Sequence, residues 1–521
     1  MKRLLIDIKS HKIRRLGLLS LFIALIPISL LTEYIISHFV MATKNSAETF
    51  FNPYRWMFIV AIYVTVFLFI ALRKQIGTKP ELLFLAVSLT VGTLYAFAMP
   101  INTNLSYDDQ IHFRRALGRS FVGDSQLTKA DDMMIGLLQP VTFKLSEIEK
   151  QSALLKDQNK LSSSNVPGKK SYLALYRDIG YLPSSILLFI GRLLNVSYSV
   201  MFVLGRWANL LVYSVVVYFG IRKLVTGKMI LAIIALFPTS IFLATNYSYD
   251  YWVTCFTILG MAYFLSELQQ PQKQITTKDS VIMMGALVLA FGPKAIYFPI
   301  LLLLFLISKT KFKSPSHYRL FRVALSLSLL FVTASFILPV LLQGPGIGDA
   351  RGGTGVNPRE QLRFILSSPL AYTNILLAFL KTYLSFDRAE GYMNFFAYLE
   401  SAKHQLLLLV TFVITVVTDK AEEDGFTSGW KTKLPVFLVF FATVSLIATA
   451  LYIQFTAVAY FTISGCQPRY LLPLLFPLLA VVGSGKIVNN MNKTSYNAMI
   501  FGICSYVLLS GIWSACISKY S

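Results

Sequence analysis

The sequence predicts an all-α protein, a polytopic transmembrane helical bundle of about thirteen spans with a large first external loop that carries short helices. Three observations predict it. Of 521 residues, 55% are hydrophobic and only 14% charged, with a mean hydropathy of +0.61, which is too apolar for a soluble protein. Apolar runs near 20 residues recur along the chain, each long enough to cross about 30 Å of hydrocarbon as a helix. One long polar stretch, roughly 100–179, interrupts them.

The elements follow in order. Met1–Arg15 is basic, and the run at 16–36 is too long for a signal-peptide core and lacks a small-residue cleavage site. It reads as a retained first span. Further spans are expected at 56–72, 81–99, 199–221, 229–245, 250–268, 279–291, 295–308, 320–342, 403–418, 434–456, 469–486 and 496–517. The stretches 279–291 and 295–308 are short and separated by Gly292 and Pro293, which predicts a thin hairpin with Lys294 at its tip. Two apolar stretches, 180–194 and 369–386, are read as re-entrant or interfacial helices. Counting the first as a crossing would put Arg222 and Lys223 on the wrong side.

That side is set by charge. The net charge is +23, and a basic total can mark a nucleic-acid binder. Here the cations sit in short loops between apolar runs, so no nucleic-acid partner is expected. With the N-terminus inside, the inner loops carry Arg14, Arg15, Arg73, Lys74, Lys79, Arg222, Lys223, Lys228, Lys273, Lys278, the set from Lys309 to Arg322, Lys431, Lys433, Lys486 and Lys493. Short basic loops gathered on one side satisfy the positive-inside rule. The expectation is a multi-pass cell-membrane protein with a cytoplasmic N-terminus and external segments 100–180, 343–372 and 387–402. Within the first of these, 145–168 is polar and reads as a mobile loop. Four units follow: N-terminal membrane helices 1–80, a core 81–342, an external and re-entrant unit 343–402, and C-terminal helices 403–521. Cys255, Cys466, Cys504 and Cys516 show no metal spacing, and three lie in apolar runs, so a disulfide framework is not expected.

The chemistry gathers where the third span surfaces. Asp108 and Asp109 are adjacent, with His112, Arg114 and Arg115 close behind. Neighbouring carboxylates in a dry site push one pKa up, which suits a base that takes a proton from a hydroxyl. They can also hold a divalent cation through oxygen ligands. A solvated loop start is the plainer alternative. His112 lies one helical turn after Asp108, and guanidinium groups are preferred partners of phosphate. Asp250 follows Tyr249 at an external junction, where an ionisable group near membrane depth marks function and the tyrosines either stack on a sugar or form an interfacial belt. Lys294 can meet a lipid phosphate or simply snorkel. Arg469, at an outer mouth, runs against the inside bias and calls for an anionic partner. The Gly-rich stretch from Asp349 to Glu360 reads as a flexible lid or a plain connection. No Walker motif, Gly-x-Ser-x-Gly or Cys/His zinc spacing is present, which excludes an ATP-driven pump and the common hydrolase and zinc patterns.

Seven stretches in fixed order carry a resemblance: 108–116, Gly180–Leu194, Gly205–Leu211, Ser248–Asp250, Pro293–Pro299, Asn357–Leu366 and Gln467–Pro473. Together they resemble a bacterial family of polytopic membrane proteins, domain of unknown function 2142, which is placed beside the GT-C glycosyltransferases. The resemblance covers about 80–480. The family pattern is Asp-Glu-x-x-His-Phe; here Asp108, His112 and Phe113 match, Asp109 replaces the Glu, and Ser106 and Tyr107 stand where prolines are usual. The resemblance implies a GT-C-like fold, a polyprenyl-phosphate-linked sugar as donor, a glycan or lipid acceptor, and an acidic residue in the first outer loop. On that expectation Asp108 or Asp109 is catalytic, and His112, Arg114, Arg115, Tyr249, Asp250, Lys294 and Arg469 bind substrate. A flippase for lipid-linked glycan and a non-catalytic envelope scaffold are the alternatives. The first would carry two related halves, which the sequence does not show.

Overall fold

The computed structural model describes residues 2–41, 51–101, 103–120, 125–138, 166–168, 175–343, 348–419, 428–482, 487 and 489–519. The stretch read as a mobile loop, 145–168, lies outside the described residues except for its last three.

The chain is helical nearly throughout. In order come α1 (Lys2–Ile35), α2 (Pro53–Leu72), α3 (Pro80–Ala98), α4 (Asp109–Gly118), α5 (Lys129–Leu137), α6 (Leu182–Leu193), α7 (Tyr198–Lys223), α8 (Lys228–Ala235), α9 (Pro238–Ala244), α10 (Asp250–Gln269) and α11 (Thr277–Phe291). A 3₁₀ helix, Ala295–Leu306, precedes α12 (Pro315–Gln343), α13 (Pro358–Ser367), α14 (Pro369–Tyr383), α15 (Ala389–Met393), α16 (Gln405–Thr418), α17 (Trp430–Phe455), α18 (Leu472–Val482) and α19 (Lys493–Ala515). A two-stranded antiparallel ribbon, β1 (Ser125–Leu127) with β2 (Val166–Gly168), is the one sheet among the described residues.

Local chemistry sets many of the ends. Asn52 caps α2 by accepting from the amides of Tyr54 and Arg55, with Pro53 in the first turn. Asn357 and Pro358 open α13 in the same way. Pro369 then starts α14 at a bend of 106°, so the two helices form a broken or re-entrant pair.

Eight helices among the described residues are long and apolar enough to cross a membrane, or nine if the bent pair counts as one span. They coincide with eight of the about thirteen expected spans, and the other five hold shorter or broken helices. The stretch 229–245 is split into α8 and α9 before Pro238, while 279–291, 403–418 and 469–486 hold helices of 15, 14 and 11 residues. The stretch 295–308 is a twelve-residue 3₁₀ helix containing Pro299. At about 2.0 Å per residue this conformation covers roughly 24 Å, against about 18 Å as α-helix. The apolar length was legible; the breaks within it were not.

Two ends of the bundle differ in chemistry. At one, Lys223 and Lys273 reach Asp279, Lys311 reaches Glu267, and Lys228 lies near Glu81. The other gathers the end of α3, α4, the start of α10, Lys294 and the 3₁₀ turn Pro468–Leu471, through contacts described below. The main apolar core runs from α2 to α19, with Phe84, Leu231, Ile258, Leu287 and Phe501 fully buried. A second cluster, including Phe113, Met134, Tyr181, Leu188 and Phe202, docks α4 and α5 onto α6 and α7. Helix α6 buries Ser185, Leu188 and Gly191 and exposes Ile186, Phe189 and Leu193, as an interfacial helix does. Where α1 ends and α2 begins, Glu33 takes Arg55 in a buried bidentate pair at 2.6 and 2.8 Å.

Candidate functional site

The site is built on the turn that leaves α3. The backbone amides of Leu105 and Ser106 both donate to Asp109 Oδ2 at 2.7 Å. Asp109 is buried and locks the turn. Burial raises its pKa from about 3.8 to about 6, against the opposing pull of these two amides. The neighbouring Asp108 is forced into the left-handed region at φ 64°, a conformation that costs a non-glycine residue about 1–2 kcal/mol. Its carboxylate reaches the rim, where Arg351 pairs with it. Arg351 Nε also holds Asp349 Oδ1 at 2.9 Å. The two adjacent acids therefore do different things: one anchors backbone, the other faces the opening.

His112 is buried, with Nδ1 2.6 Å from the Tyr181 hydroxyl and its ring edge-on to Tyr249 at 5.1 Å. Burial lowers its pKa to about 4, so it is neutral at physiological pH and supplies no cation. Gly180 permits this packing, because a Cβ there would lie 2.9 Å from Tyr249 Cβ. Arg114 is exposed. Arg115 turns to Asp178 at 3.3 Å, and Arg119 binds the same carboxylate at 2.7 Å. These arginines are drawn to Asp178, not to the acid pair.

The cations that do converge come from far along the chain. Asp250, first residue of α10, takes Lys294 Nζ on Oδ1 and Arg469 Nε on Oδ2, each at 2.8 Å. Lys294 reaches it from the hairpin tip between α11 and the 3₁₀ helix. Aromatic rings surround the group: Lys294 Nζ lies 3.6 Å from the Tyr470 ring centroid and 5.5 Å from that of Tyr249. Arg469 lies 4.9 Å over Tyr107, next to Asp108. Further in, Arg206 donates to the carbonyls of Met99 and Pro100 at 3.2 and 3.0 Å. A small cavity of about 30 Å³ touches Tyr107, Phe395, Gln467 and Arg469. Gln467 Oε1 and Ser106 Oγ are buried here with no hydrogen-bond partner among the described residues.

Asp250, Lys294, Arg469 and Tyr249 thus meet as one cluster beside Asp108, while Arg114 and Arg115 stand apart. Tyr107, Arg206, Arg351 and Tyr470 were not singled out from the sequence. Arg206 lies in the quoted stretch Gly205–Leu211, and an arginine inside an apolar run was a usable signal. Arg351 gave none, since its role depends on a contact 243 positions away. Among the described residues no group of three His, Cys, Asp or Glu side chains could hold a metal ion. The carboxylates of Asp108 and Asp109 already face a guanidinium and two amides, a poor donor set for a divalent cation.

A family described as predicted membrane protein (DUF2142) matches residues 89–478. The chain belongs to this family. The matched region contains Asp108, Asp250, Lys294, Arg351 and Arg469, whereas α1, α2 and α19 lie outside it. No curated protein and no solved structure matches the chain.

Proposed function

We propose that this protein is an integral membrane glycosyltransferase of GT-C type, moving a sugar from a polyprenyl-phosphate donor to an envelope glycan or other acceptor on the outer face. The observation that carries the reading is the charge balance at Asp250. Two cations, the partly buried Lys294 and the buried Arg469, share one carboxylate. In a dry, tyrosine-lined setting the surplus positive charge favours an anion, and phosphate has the matching charge.

In this reading Asp108, on the rim one residue from Tyr107, is the base. The acceptor hydroxyl gives its proton to Asp108 as its oxygen bonds the anomeric carbon. The bond from that carbon to the phosphate oxygen breaks, and the electron pair leaves on the phosphate, which Lys294 and Arg469 stabilise. Asp109 holds the turn that aims Asp108. The N-terminus is cytoplasmic and the site external, as the basic loops at the opposite end support.

The test is sugar transfer in membranes with Asp108 and Asp109 each replaced by Asn. Asp108→Asn should cost about 10²–10⁴-fold in transfer, the usual contribution of a general base. Full transfer in both variants would remove the assignment.

A further inference from the structure

The stretch Gly205–Leu211, one of the seven that carry the family resemblance, takes no part in the proposed reaction but touches both halves of the site. It lies within α7. Its seat on α3 is set at two points. The Trp207 indole donates to Thr93 Oγ1 at 3.0 Å, and Leu210 fills the space at Gly92, where a Cβ would lie 2.4 Å from Leu210 Cδ1. That register brings Arg206 to the end of α3, where its Nη1 and Nη2 donate to the carbonyls of Met99 and Pro100. The end of a helix leaves carbonyls without an amide, and here a side chain supplies the donors. Arg206 is 1% exposed, and its guanidinium also lies 4.6 Å over the Phe202 ring. A neutral side chain satisfies carbonyls at less cost in desolvation, and a buried charge within an apolar helix marks a functional position.

The same turn of α7 holds the other half of the site. Asn209 is fully buried and donates from Nδ2 to the Asn246 carbonyl at 2.7 Å. It lies three residues after Arg206, so the two are neighbours on the helix surface, about 4.5 Å apart in rise. Gly205 leaves room for Tyr247: a Cβ there would lie 2.3 Å from the Tyr247 hydroxyl, which donates to the Phe202 carbonyl at 2.7 Å. Next along the chain, Ser248 Oγ accepts from the Asp250 amide at 3.2 Å. We propose that Arg206 and Asn209 are positioning residues that set the gap between two arms of the site. One arm runs from Met99 to Asp109 and carries Asp108; the other runs from Asn246 to Asp250 and gathers Lys294 and Arg469. The first arm is gripped twice, by Arg206 on its carbonyls and by Asp109 on the amides of Leu105 and Ser106. Sugar transfer gives this gap its purpose, since displacing a reacting group by 1 Å can cost about 10²-fold in rate. The roles of base and phosphate-binding cations rest on that reading; the frame that joins the arms does not.

The experiment compares the full chain in detergent with Arg206→Met, Arg206→Lys and Asn209→Ala. Hydrogen exchange read by mass spectrometry follows each arm, and calorimetric titration with farnesyl phosphate, a short polyprenyl phosphate, follows the cation cluster. Arg206→Met should speed exchange about tenfold in peptides spanning 99–106, the weight of hydrogen bonds from a charged donor on a local opening, and leave 246–253 as in wild type. Arg206→Lys keeps a charged donor and should restore most of the protection. Asn209→Ala should do the reverse, loosening 246–253 and not 99–106, and it alone should weaken farnesyl phosphate binding, because only the cation arm moves. A role in stability alone would raise exchange through α3, α7 and α10 together in every variant. That uniform pattern would overturn the proposal, as would wild-type exchange in both arms or an Asn209→Ala protein that binds farnesyl phosphate as tightly as wild type. If the wild type binds no farnesyl phosphate, the sugar-transfer reading falls, and the exchange pattern still decides the frame.

Discussion

Arg469 places its Nε 2.8 Å from Oδ2 of Asp250, with both side chains only 9% exposed. Lys294 occupies the other oxygen, so one carboxylate holds apart two cations that would otherwise repel in a medium of low dielectric. Asp250→Asn would leave both without a counter-charge. Breaking a buried pair in this way costs about 3–5 kcal/mol. Thermal unfolding of the detergent-solubilised protein should show a clear loss for Asp250→Asn, and wild-type stability in that variant would contradict the pairing.

Asp109 and His112 should give opposite pH dependences. The folded pKa of Asp109 is raised, from about 3.8 to about 6, so the fold favours its protonated form. Its contribution is fully present below about pH 4 and lost as pH rises through about 6. His112 is lowered, from about 6.5 to about 4, so its contribution is present above about pH 6.5 and lost as pH falls through about 4. Each is worth about 3 kcal/mol at most, and over the shared window they offset one another. Asp109→Asn keeps an acceptor for the two amides and should make stability fall steeply on acidification from pH 6.5 to 4. His112→Gln keeps a partner for Tyr181 and should make stability rise over the same range. Parallel unfolding curves for both variants would rule out this opposition.

Arg351 pairs with Asp108 at the rim, where the two side chains are 49% and 34% exposed. An ion pair so solvated contributes about 0–1 kcal/mol. Arg351→Gln should therefore leave the unfolding temperature almost unchanged. Under the proposed reaction it should still lower sugar transfer, because Arg351 ties the 349–352 turn to the base. A variant that transfers at the wild-type rate would make the contact incidental to turnover.

Sidedness can be read chemically. Arg114 is exposed on α4, one turn from Asp109, and Arg114→Cys offers a thiol there. The native Cys255, Cys504 and Cys516 are buried, so a Cys466→Ser background leaves little competing signal. A membrane-impermeant maleimide should label Cys at position 114 in intact cells. Labelling that requires permeabilisation would put the acid pair in the cytosol and remove the proposed external site.

Much of this protein is legible along the chain. Apolar runs of about 20 residues fixed the membrane class, because hydrophobic length is a local property, whereas the caps at Asn52 and Asn357 went unread although their signals are local too. Adjacency made Asp108 and Asp109 conspicuous, and Lys294 and Arg469 stood out as cations on an unexpected side. Packing alone decided that Asp109 binds backbone while Asp108 meets Arg351, that Arg115 is drawn to Asp178, and that Asp250 joins Lys294 to Arg469. Those partners lie as far as 243 positions apart. A carboxylate in a low-dielectric interior takes whichever cation the assembled helices bring within about 3 Å, and no local pattern encodes which one that will be.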